Sequence, residues 1–118
     1  MTDLALTYLR SMARNNRWAN HRLLAACAAL TQAELDMRRT SFFPSLAATL
    51  DHILWVDAYY LDCMDGRIDS RTRALAWVPR TTLAALAAEQ AASDERFIAL
   101  LDAATASDLA RIVEMPRR

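Results

Sequence analysis

The run of about twenty residues from Ser45 to Met64, closed by Gly66, the only glycine in the chain, constrains the fold more than any other stretch. Leu46, Leu50, Ile53, Tyr60 and Met64 recur at spacings of three, four and seven, which puts them on one side of an α-helix. Ser45 offers a hydroxyl to the free N–H groups of the first turn, and Gly66 suits the left-handed position that ends a helix. Two residues depart from a plain amphipathic pattern. At about 100° per residue, Asp57 falls inside the apolar arc between Met64 and Leu50, and His52 lies at its edge beside Tyr59, Val56 and Cys63. A carboxylate in a core requires hydrogen-bond partners, and an imidazole at its rim is either packed or a ligand.

The remaining composition agrees with helices. Three prolines and one glycine in 118 residues are too few for a turn-rich β protein, and the length suits one domain, 1–118. Formal net charge is zero, with fourteen arginines, no lysine and fourteen acidic residues, so nothing points to nucleic acid or a membrane surface. The longest apolar run, Leu23 to Leu30, is far below the roughly 20 residues of a membrane span. The opening Thr2-Asp3 lacks the layout of a secretion signal, so a cytoplasmic protein is expected. Cys27 and Cys63 both fall on apolar helical positions and read as reduced, buried thiols.

Ahead of the central helix, residues 3–30 contain no breaker. Leu9, Met12, Asn16, Ala19, Leu23, Ala26 and Leu30 form a seam with one polar member, Asn16, and Thr2 is the expected cap. On the far side Arg10, Arg14, Arg17 and His21 form a charged stripe, which reads as a solvated face because it lacks interleaved aromatics. Thr31 and Glu34 have capping-box spacing and predict a short helical turn over 32–38. With so short a connector, the first helix and the one over 45–64 are expected to be antiparallel neighbours. Asn16 then lies level with the Asp57–Tyr60 turn. Asn16 and Asp57 are expected to meet in a buried hydrogen-bonded cluster, with Asn15 or Tyr8 as further members.

Residues 65–80 read as a long crossover whose end is tucked in by Trp77 and Val78. A third helix follows over 81–104, with Leu83, Leu86, Gln90, Phe97, Leu101 and Ala104 facing inward and Asp94 close to that arc. Ser107 is the expected cap of a last turn over 108–113, and the end from Met115 is expected to fray. Catalytic signatures are missing: there is no Gly-rich phosphate loop, Cys-x-x-Cys, Gly-x-Ser-x-Gly or His-Glu-x-x-His. Cys63 stands three turns from His52 on the same helix and cannot share an ion with it. Taken alone, His52 is a partly buried core histidine.

Two segments carry a family resemblance: Asn16-Arg-Trp18-Ala-Asn20-His-Arg-Leu-Leu-Ala-Ala26, and Phe42-Phe-Pro-Ser45-Leu-Ala-Ala-Thr49-Leu-Asp-His52-Ile-Leu-Trp-Val-Asp57. Together they resemble the DinB-like family of metal-dependent helical proteins. Thr-Leu-x-His with an Asp five residues on is the specific part, and Asp94-Glu-Arg-Phe97 and Ser107-Asp-Leu-Ala-Arg111 extend the likeness loosely. The resemblance implies an all-α up-down bundle with a long crossover, often dimeric, that binds a divalent metal, zinc or nickel, through three histidines. It also implies metal-dependent transfer or hydrolysis, in some members thiol S-transfer to or from a low-molecular-weight thiol. The first metal ligand carries over to His52. The other two belong to a His-x-x-x-His on a fourth helix, which the chain stops short of, so three main helices and an incomplete, non-stoichiometric metal site are expected. The groove left by that helix is expected to be covered in a homodimer, and a non-catalytic module that dimerises there is the alternative reading.

Overall fold

Six helices make up the secondary structure of the computed structural model, which describes residues 3–67 and 69–115, and no strand occurs among these residues. Helix α1 spans Leu4–Cys27 and is capped by Asp3, whose carboxylate accepts from the Leu6 N–H at 3.0 Å. The expected cap Thr2 lies outside the described residues, as do the last three residues of the end expected to fray. The helix stops short of residue 30 because the chain tightens into a turn. The Leu30 N–H reaches the Cys27 carbonyl at 2.9 Å, three residues back rather than four. That turn delivers Thr31 to a capping box with Glu34, which starts α2, Gln32–Asp36.

Helix α3, Leu46–Met64, is the central segment. Ser45 caps it through the Ala48 N–H at 3.0 Å, and Gly66 closes it at φ +74°. The crossover is not structureless: it contains α4, Ser70–Leu75. Trp77 tucks inward through its indole N–H to Asp51, but Val78 is left outside at 73% exposure. Helix α5, Leu83–Ala103, is capped by Thr82, and a Thr105–Asp108 capping box, not Ser107, starts α6 over Ala106–Leu109.

Polar contacts fix the directions. Arg14–Asp102, Arg17–Glu95 and Asn20–Asp94 run α5 antiparallel to α1, whereas Asp57–Gln90 and Asp62–Arg96 run it parallel to α3. A parallel pair needs a long connection, which the 65–82 crossover supplies. The expected direct pairing of α1 with α3 is therefore corrected: the two are antiparallel, but α5 packs against both. Their relative height is nonetheless as the short connector dictates, since Leu23 and Leu50 flank one cavity and Asn16 and Asp57 another.

The apolar core falls into two parts. Cys27, Leu35, Ala47, Leu50 and Leu86 pack at the α2 end, and Ala13, Ile98 and Leu101 pack at the other. Tyr60 on α3 is 48% exposed and Met12 on α1 44%. Both belong to faces read from the sequence as inward, and both are outward because nothing described here covers them.

Gly66 has open space around its α-carbon, so only its positive φ resists a side chain. Gly66→Ala is expected to lower unfolding free energy by about 1 kcal/mol with no loss of helix signal. Chemical denaturation followed by circular dichroism measures this, and an unchanged midpoint would show that the left-handed closure is unimportant.

Candidate functional site

Between the two apolar clusters lies a layer of amides and carboxylates. Asp94 is 3% exposed and accepts from the Asn16 side-chain amide at 3.1 Å and the Asn20 amide at 3.0 and 3.2 Å. Gln90, one turn earlier on α5, donates through Nε2 to Asp94 and to Asp57, both at 2.9 Å. One amide nitrogen thus bridges two carboxylates, and the layer joins all three long helices. The pairs Asn16/Asn20 and Gln90/Asp94 are each four apart, so both members of a pair share a helix face.

The expected Asn16–Asp57 contact is present only by relay, through Asp94 and Gln90. Asn15 and Tyr8 are exposed and take no part. Asn20, Gln90 and Asp94 are the members that the first two helices alone could not reveal. The signal was available in the third helix, where Gln90 and Asp94 interrupt an apolar face.

No ion pair reaches Asp57 or Asp94 among the described residues. Burial pushes both carboxyls above the ordinary carboxylate range, against the opposing pull of the Gln90 amide and, at Asp94, of Asn20 and Asn16. The Asp57 charge raises Asp94 further. A cavity of about 120 Å³ adjoins the pair, with Tyr60, Ser93 and Phe97 in its wall. The Ser93 hydroxyl is buried and has no hydrogen-bond partner among the described residues.

His52 lies apart from this layer. It is half-buried on α3, its ring 4.3 Å from Phe43 and 5.9 Å from Trp55, and Trp55 stacks in turn on Tyr59 at 5.9 Å. The loop ending in Pro44 places Phe43, and spacings of three and four along α3 align the other rings. Among the described residues, no group of three or more His, Cys, Asp or Glu side chains is placed to hold a metal ion. One imidazole falls short of the three or four donors that zinc or nickel requires, so the residues described do not by themselves fit an ion. Cys27 and Cys63 are buried free thiols.

The arginine stripe is a largely solvated face, as its spacing suggests, and it also makes contacts across to α5. Arg10 donates to the carbonyls of Leu101 and Ala104, Arg14 forms a two-point pair with Asp102, and Arg17 meets Glu95 at 2.7 Å. These contacts pin α1 to α5. His21 is exposed beside them.

A three-helix body with a crossover between parallel α3 and α5, and an amide–carboxylate layer at mid-height, defines an all-α bundle. The sequence profile of the DinB superfamily matches residues 16–118, and the chain belongs to that superfamily. No curated protein and no solved structure matches it. No helix among the described residues is long and apolar enough to cross a membrane.

Two outcomes are expected from this layer. Asp94→Ala takes the shared acceptor from Asn16 and Asn20, leaves Gln90 only Asp57, and should destabilise by about 2–3 kcal/mol at neutral pH, measured by urea denaturation. For Asp57, the raised carboxyl binds its proton more readily in the folded chain, so its contribution is present at low pH and is lost as pH rises through the folded-state value. Stability of wild type relative to Asp57→Asn should therefore fall as pH rises above the ordinary carboxylate range. A flat difference would contradict the burial argument.

Proposed function

We propose that this chain is the three-helix body of a metal-dependent transferase or hydrolase, of the thiol S-transferase kind found in its superfamily. In this reading His52 is one ligand of a divalent ion, zinc or nickel, and the others come from a surface seated in the α1/α3 groove. The observation that carries it is the placement of His52 in a DinB chain, half-buried, with its ring oriented between Phe43 and Trp55. Such an ion, when bound, would supply Lewis acidity or lower the pKa of a coordinated thiol or water. This chain's own part is to orient one imidazole and, through Asp57 and its Gln90 bond, to hold α3 against α5. A low-molecular-weight thiol is the substrate class, and the cytoplasm is the compartment in which such a thiol and two free cysteines persist.

Metal analysis of the protein isolated from its own cells tests this. A divalent ion in fixed ratio is expected for wild type and its loss for His52→Ala; equal metal in the two would overturn the assignment.

A second reading rests on the groove. Tyr8 is 63% exposed and Met12, Leu23 and Tyr60 are 44–48% exposed, and the three α1 residues follow the Asn16 face away from α5. Here the chain is a non-catalytic helical module that forms a homodimer through this apolar strip. Sedimentation at tens of micromolar should show a dimer that Tyr60→Glu converts to monomer without loss of helix. A stable wild-type monomer would remove this reading.

A further inference from the structure

The crossover and α3 enclose a second concavity that neither the polar layer nor His52 uses. It measures about 700 Å³ and is walled by Trp55, Tyr59, Trp77, Arg73, Arg80 and Thr82, among others. Packing faults inside small proteins are far smaller than this, whereas ligand pockets occupy roughly 300–1,000 Å³. It opens on the side of α3 opposite the α1/α3 groove, because Trp55 lies roughly half a turn from Tyr60 and Met64.

Its aromatic walls are fixed before any ligand arrives. The Trp55 indole donates to the Ala74 carbonyl at 3.0 Å, and the Trp77 indole donates to the Asp51 carboxylate at 3.2 Å. Asp51 also accepts from the Arg80 backbone N–H at 2.8 Å, so one buried carboxylate anchors both the second tryptophan and the residue that follows Pro79. Trp55 and Tyr59 present nearly parallel rings, 6° apart. Rings held by hydrogen bonds elsewhere lose little freedom when something stacks on them.

The wall carries two guanidiniums, Arg73 and Arg80, and one carboxylate, Asp62. Arg80 lies 4.2 Å over the Trp77 ring and reaches Glu89 only at 3.7 Å. Arg73 meets Asp62 at 2.8 Å, but Asp62 is also met by Arg96 at 2.9 Å, so it does not neutralise Arg73 alone. Each guanidinium has five N–H donors, more than these contacts consume. We propose that this pocket binds a planar aromatic ligand bearing an anionic group, the ring packing against the Trp55, Tyr59 and Trp77 walls and the anion accepting from Arg80 and Arg73. The site shares the Trp55 ring with the His52 stack, but its test needs no metal, so either proposal can fail without the other.

The test follows the three indole N–H resonances in a ¹⁵N-labelled sample of the full chain. Trp18, on α1 under Arg22, is the internal control. Phenyl phosphate and 2-naphthoate distinguish a phosphate from a carboxylate, while inorganic phosphate and 2-naphthol each lack one half of the proposed ligand. Saturable shifts of Trp55 and Trp77 with at least one aryl anion, with Trp18 still, are expected. Arg80→Gln should weaken that binding at least tenfold and Arg80→Lys less, with helix signal unchanged in both. No saturable shift, an equal response to inorganic phosphate or 2-naphthol, an equal response at Trp18, or unaltered affinity in a folded Arg80→Gln would each overturn the proposal.

Discussion

The Asp94 carboxylate is the interaction on which the arrangement of long helices depends. Three side-chain amides from two helices converge on it, and the third of them, Gln90, passes the connection on to Asp57 of α3. A buried carboxylate is tolerable only when donors replace its water. Here those donors are neutral amides, and no cation is ion-paired to Asp94 among the described residues. The consequence is specificity of register: sliding α1 by one turn against α5 would place an apolar residue where Asn16 or Asn20 must donate. The apolar clusters above and below the layer supply most of the burial, but apolar contacts are non-directional and would accept several offsets.

The same layer explains why α1 and α3 stand apart. With α5 carrying both Gln90 and Asp94, it must face both partners, and the two other helices lean on it rather than on each other. Their far sides leave Met12, Leu23 and Tyr60 nearly half exposed. His52, oriented by Phe43 and Trp55, sits on the α3 edge of that region by helical spacing.

Much of this was legible in the sequence. The cap Ser45, the Thr31 box and the closing Gly66 are local chemistry, and each acts as its residue type dictates. Helix α4 was not legible because Ser70–Leu75 is only six residues and rich in arginine, so no apolar stripe marks it. Asn16 and Asp57 stood out as polar residues on apolar faces, yet their connection was misjudged. Pairwise reasoning between two helices cannot see a third that carries the bridging amide. The arginine stripe is solvated as expected, but its partners were not legible: antiparallel α5 brings Asp102, Glu95 and the Leu101 carbonyl to meet Arg14, Arg17 and Arg10.

A double-mutant cycle between Asn20 and Gln90 tests the shared-acceptor claim most directly. The two amides sit on different helices and meet only through Asp94. Urea denaturation of the Asn20→Ala and Gln90→Ala single variants and of their combination should give a coupling of at least about 0.5 kcal/mol, since each loss changes what the other amide does for the carboxylate. Strictly additive destabilisation would contradict the claim that one buried carboxylate ties the three helices together.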